Sequence, residues 1–94
     1  MIQWTEEATG QLDQAHDYIA LSSGEEVAAR ITMHVVSSVQ QLSLFPMSGR
    51  TGRVEGTREL VIANTPLIAA YAIEEDRILV LAIYHGAQRW PEAF

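Results

Sequence analysis

Two stretches of this chain, Leu67 to Ile73 and Ile78 to Tyr84, each run for seven residues without a polar side chain. A strand with one face in water alternates apolar and polar residues, so strands apolar at every position require cover on both faces. Seven residues is also far short of the ~20 that a membrane-spanning helix needs. The acidic Glu74-Glu75-Asp76 between the two runs fits a hairpin. A third predicted strand, Arg58 to Ala63, precedes them across the turn signal Asn64-Thr65-Pro66, and the last strand extends to His85.

The first half of the chain reads as helical. Thr5 is a candidate N-cap, Glu6 and Glu7 suit the positive end of a helix dipole, and Ala8, Leu12, Ala15 and Ile19 recur on one stripe. Ser23-Gly24-Glu25-Glu26 reads as a capping box opening a second helix. Val27, Ile31, Val35, Leu42 and Phe45 mark its buried face, and Pro46 ends it at Phe45. Met47 to Gly56, with three glycines and two arginines, has the composition of an ordered connection. Ile2 to Trp4 predicts a short edge strand. The sum is one α+β domain over residues 1–94, ordered β-α-α-β-β-β, with a helical hairpin on one face of a small antiparallel sheet.

A helical hairpin covers one face only. The other face must be closed by the C-terminal Trp90 to Phe94, by self-association or by another chain, because a large apolar surface left in water aggregates. Ala69, Ala70 and Ala72 would let a helix approach closely, either the chain's own or a partner's.

Charge narrows the function classes. The chain has six basic residues, all arginine, against twelve acidic ones, a net charge of −6, which disfavours non-specific nucleic-acid binding. Residues 1–49 hold Arg30 alone against six carboxylates. Arg50, Arg53 and Arg58 then fall within nine residues, and with Arg89 they form a candidate recognition patch for phosphates or carboxylates. Without cysteine there is no thiolate metal site, catalytic thiol or disulfide. His16 and His34 lack companion ligands at metal spacing, so neither a metal nor a cofactor is expected. The N-terminus lacks the basic and apolar segments of a secretory signal, which makes the cytoplasm the expected location. Tyr84-His85-Gly86 ends a buried strand at the sheet rim. His85 as base or acid, Tyr84 beside it and Arg58 on the phosphate are the candidate set for RNA cleavage through the 2′-hydroxyl; a histidine capping a backbone carbonyl is the plainer alternative.

Four segments carry a family resemblance: Leu42-Ser43-Leu44-Phe45-Pro46-Met47-Ser48-Gly49-Arg50, Gly56-Thr57-Arg58-Glu59-Leu60-Val61, Thr65-Pro66-Leu67-Ile68-Ala69-Ala70-Tyr71 and Ile83-Tyr84-His85-Gly86-Ala87-Gln88-Arg89-Trp90-Pro91. In their order and in the chain's length they resemble the RelE/ParE toxin superfamily. The resemblance implies a type II toxin that inhibits growth and is silenced by a cognate protein antitoxin in a hetero-oligomer, as in plasmid stabilisation. Ala69, Tyr71, His85 and Trp90 then join Arg50, Arg53, Arg58 and Arg89 as expected binding residues for antitoxin or target. Ribosome-dependent ribonucleases of the superfamily carry an arginine three residues before the tyrosine of the middle strand, where this chain has Ile68. That departure and the acidic balance favour the ParE-like branch, which acts on DNA gyrase. Cleavage of messenger RNA on the ribosome, suggested by His85, and a degenerate member that binds antitoxin without toxicity are the alternatives.

Overall fold

The computed structural model describes residues 1–86. Its elements are β1 (Ile2–Trp4), α1 (Glu6–Ser23), α2 (Glu25–Gln40), a 3-10 turn (Gln41–Ser43), β2 (Arg50–Thr51), β3 (Arg58–Val61), β4 (Leu67–Ile73) and β5 (Ile78–His85). They build a five-stranded sheet in the order β1-β5-β4-β3-β2, with the two helices packed on one face. β2 is an addition to the predicted set. The sheet is mixed rather than wholly antiparallel, because β1 joins β5 in parallel, Ile2 opposite Ile78. A parallel neighbour requires a long crossover, and here the helical hairpin and the following strands supply it.

Thr5 starts α1 as its spacing predicts. Its hydroxyl accepts from the Ala8 amide at 3.0 Å and donates to the Leu81 carbonyl at 3.2 Å, so one side chain caps the helix and ties it to β5. The predicted capping box at Ser23 does not form, since α1 runs through Ser23 and Gly24 takes the cap position of α2 without a side-chain bond. Gly24 has φ +97°, a conformation that favours glycine and reverses the chain in one residue. Glu25 and Glu26 still occupy the first turn, where their charge suits the dipole.

The second helix stops at Gln40, five residues before the predicted end. Leu42 is fully buried, whereas Phe45, expected on the same stripe, is 62% exposed. The chain tightens into the 3-10 turn, which shifts each residue's direction and swings Phe45 off the buried face. β3 likewise ends at Val61 rather than Ala63, although the Ile62 amide still reaches the Leu67 carbonyl at 3.0 Å.

Beneath the helices the sheet contributes Leu67, Ala69, Tyr71, Ile78, Val80 and Ile83 to a core shared with Ala8, Leu12, Val35, Val39 and Leu42. The alanine strand therefore packs under the chain's own helices at Ala69. The opposite face holds Ala70, Ala82 and Tyr84 as a second buried cluster, with Ile68 only 6% exposed. Both faces are closed as the apolar runs demand, and at these positions the single chain already closes them. Of the covers expected for the outer face, the C-terminal Trp90 to Phe94 lies outside the described residues. Beyond β1, the free edge of β5 is met by α1 side chains, because Gln11 Oε1 accepts from the Ile83 amide at 2.8 Å.

Candidate functional site

The arginine-rich connection is organised by a carboxylate that the sequence reading left without a role. Glu59 on β3 is 1% exposed. A carboxylate so buried requires partners, and the connection supplies them. Arg50 Nε and Nη2 both donate to Glu59 Oε1, at 3.1 and 2.9 Å. The Arg53 amide donates to Oε2 at 2.8 Å, and its guanidinium stands 3.8 Å from the same oxygen. Arg58 points the other way, its Nε donating to the Gly49 carbonyl at 2.9 Å and its Nη2 to the Met47 carbonyl at 3.1 Å. The three arginines of the predicted patch that fall among the described residues thus hold the 47–56 segment onto the sheet. About half of the Arg50 and Arg53 side chains remains on the surface.

Tyr71 secures the same segment from below. Its hydroxyl accepts from the Gly49 amide at 3.0 Å and donates to the Pro46 carbonyl at 2.7 Å. Gly49 is required for that approach: a Cβ there would stand 2.5 Å from the Tyr71 hydroxyl and 2.8 Å from the Glu59 carbonyl. Tyr71 and Ala69 are both fully buried and offer no surface to a partner in the chain as it stands.

The three candidates for RNA cleavage do not converge. Adjacent strand residues point to opposite faces, and Tyr84 lies in the outer cluster while His85, opposite Leu67, is exposed at the strand end on the helical side. Arg58 pairs with Tyr71, whereas Tyr84 pairs with Ile68 three residues along β4, a separation of about 10 Å along the strand. Burial pushes the Tyr84 phenol above its ordinary pKa; a hydrogen bond with Gln11 opposes the shift and the Glu7 carboxylate adds to it. It is a protonated phenol at neutral pH, unsuited to act as a base. Arg89 and Trp90 lie outside the described residues. Among the described residues no three histidine or acidic side chains are grouped to hold a metal ion, and no helix is long and apolar enough to cross a membrane. His16 bridges the hairpin to Glu25 at 3.1 Å, and His34 bonds the Ala63 carbonyl at 2.8 Å, so both serve the fold.

Glu59 was within reach of the sequence. A glutamate in a strand otherwise destined for burial, with three arginines close by, signals an internal ion pair. Arg50 and Arg53, expected to face an outside ligand, also meet this neighbour within the chain.

Comparison with known proteins adds three findings. The family model described as the ParE toxin of the type II toxin–antitoxin system parDE matches residues 2–90. A protein of Sinorhizobium fredii (strain NBRC 101917 / NGR234), named "Putative toxin Y4kP", is 38% identical over 91 residues, which cover 97% of this chain and 93% of that one. A structure titled "Chromosomal ParDE TA system from P. aeruginosa" superposes with a TM-score of 0.84 at 27% identity, covering 89% of this chain and 92% of that chain.

Proposed function

The chain belongs to the ParE toxin family of type II toxin–antitoxin systems, and from that membership we propose that it stops growth by binding DNA gyrase. Its cognate antitoxin is the neutralising partner, by analogy with the ParDE assembly it resembles, and the site of action is the cytoplasm. One observation carries the choice of a binding poison over a nuclease. Three of the arginines that could steady a phosphate are engaged within the chain, Arg50 by the Glu59 carboxylate, Arg53 beside it at 3.8 Å and Arg58 by two carbonyls, while about half of the Arg50 and Arg53 side chains stays at the surface. Ile68 and Tyr84, at the superfamily's catalytic position and beside His85, are both buried. Strong phosphoryl chemistry without metal needs a convergent base, acid and cation. The half-exposed arginines Arg50 and Arg53, the rim residue His85, and Arg89 and Trp90 beyond the described residues form the proposed target-facing set.

The test is a supercoiling assay with purified gyrase, run beside cleavage of messenger RNA on ribosomes. Inhibited supercoiling or trapped cleaved DNA, with intact RNA, is the expected result. Gyrase untouched at saturating protein refutes the target. RNA cut in the ribosomal A site and abolished by His85→Ala establishes the nuclease reading instead. Antitoxin binding without growth arrest identifies a degenerate member.

A further inference from the structure

A cleft of about 440 Å³ separates the middle of α2 from the turn between β3 and β4, and Arg30, Ile31, His34, Asn64 and Thr65 line it. Arg30 and His34 stand four residues apart on one helix face, so both reach the cleft from α2. Among the described residues Arg30 is the one arginine with neither a hydrogen bond nor an ion pair: Arg50 and Arg53 meet Glu59, Arg58 bonds two carbonyls and Arg77 meets Glu74. Glu26 lies four residues before Arg30, the spacing of a helical ion pair, yet no such pair forms. Carboxylates are also missing from both walls, since residues 27–54 and 60–73 contain neither aspartate nor glutamate. The net charge of −6 therefore resides elsewhere, and the cleft presents an unneutralised guanidinium.

The opposite wall is a turn that holds one polar side chain outward. Thr65 spends its hydroxyl inside the turn, donating to the Ile62 carbonyl at 3.0 Å and accepting from the Leu67 amide at 3.0 Å. Asn64 takes φ +63°, a conformation that asparagine tolerates better than most side chains. In such turns an asparagine side chain commonly bonds its own backbone, but here the exposed carboxamide makes no hydrogen bond and keeps both N–H donors for a ligand. His34 gives its Nε2 proton to the Ala63 carbonyl at 2.8 Å, because a carbonyl only accepts, and its Nδ1 is left over. One bond thus fixes the imidazole against the turn.

We infer that this cleft binds the phosphate group of a small molecule, with the Arg30 guanidinium and the Asn64 carboxamide donating from facing walls and His34 beside them. A guanidinium fork matches two phosphate oxygens. Donors on two walls suit a tetrahedral anion, whose oxygens point several ways, better than a carboxylate, whose two oxygens share a plane. The inference is independent of the gyrase proposal, since it is read by binding to the purified chain without a toxicity assay.

The probes are inorganic phosphate, glycerol phosphate and acetate, each compared with chloride at equal ionic strength and constant pH, titrated into the full chain while its NMR shifts are followed. Both phosphates give saturable shifts at Arg30, Asn64 and Thr65, and acetate binds more weakly than either. The tighter of the two phosphates identifies the free ion or an ester as the source, and either result bears the site out. Arg30→Gln lowers phosphate affinity about fivefold, the size expected for one contact of a surface arginine, and leaves the melting point unchanged because Arg30 bonds nothing in the chain. Asn64→Asp keeps the turn, places a carboxylate in the cleft and lowers affinity at least as far. Arg77→Gln, at the turn on the other end of β4, removes equal charge and leaves affinity unchanged, which separates the cleft from a general attraction between anions and arginine. Phosphate shifts no larger than those of chloride overturn the inference. So do acetate binding as tightly as phosphate, shifts centred on Arg50 and Arg53, or equal effects of Arg30→Gln and Arg77→Gln.

Discussion

Removing Arg50 should harm the fold more than neutralising the carboxylate it serves. Arg50→Met deletes both donors to Glu59 Oε1 while the carboxylate stays 1% exposed. Breaking a buried pair from one side costs about 3 to 5 kcal/mol, since it strands a charge in a poor solvent. Arg53 remains on Oε2 by its amide, so the low end, about 3 kcal/mol, applies. Glu59→Gln acts differently. It keeps the shape and one oxygen to accept from Arg50, its NH2 replaces the oxygen that accepted from the Arg53 amide, and the arginines it releases already have half their surface in water. The expected loss is about 1 to 2 kcal/mol, that of one hydrogen bond lost and others weakened rather than of a charge abandoned. At about 4 to 8 °C per kcal/mol for a domain of this size, the two melting points should differ by several degrees, with Arg50→Met lower. Denaturant unfolding gives the free energies directly, and the double variant should lose less than the two single losses added together. If Glu59→Gln costs as much as Arg50→Met, or if Arg50→Met costs under about 1 kcal/mol, then Glu59 is not an anchor that depends on its cations, and the account of the connection fails.

Tyr71→Phe removes the hydroxyl between the Gly49 amide and the Pro46 carbonyl and should cost about 1 to 3 kcal/mol in urea unfolding. Gly49→Ala should cost a similar amount by overpacking, and adding Tyr71→Phe should relieve it only in part, because the Glu59 carbonyl stays 2.8 Å from the new methyl. Thr5→Ala loses a helix cap and a tie to β5 together, so about 1 to 2 kcal/mol should disappear, measured by thermal melting. Tyr84 has a raised pKa in the fold, so its contribution to stability is whole below the ordinary tyrosine value of about 10 and declines as pH climbs through it toward the higher folded value. Tyr84→Phe should remove that share of the alkaline loss, seen as a flatter stability profile above about pH 10.

The match between sequence and structure is uneven for a physical reason. β4 and β5 were legible to the residue, because a run without polar side chains admits little but a doubly covered strand. Thr5 was legible because capping is decided within four residues. Ser23 misled, since a serine-to-glutamate spacing states only what a cap could do, and Gly24 offered the chain a sharper reversal. The internal role of the arginines was hidden for the opposite reason. Their density was visible, but whether a guanidinium faces water or a neighbour depends on a pairing across strands. Arg50 sits opposite Glu59 only once β2 has formed, and β2 has just two residues.

From the order of its amino acids alone the chain specified its α+β class, its helical hairpin, its three main strands and its toxin family, all properties carried by local pattern and by the spacing of recognisable segments. Tertiary structure decided the parallel entry of β1, the closing of the outer sheet face, and the anchoring of Arg50 and Arg53 to Glu59 and of Arg58 to the Gly49 and Met47 carbonyls. Each of these depends on contacts between residues distant in the chain. There the cost of desolvating a buried group selects its partner, and local propensity has no influence on that choice.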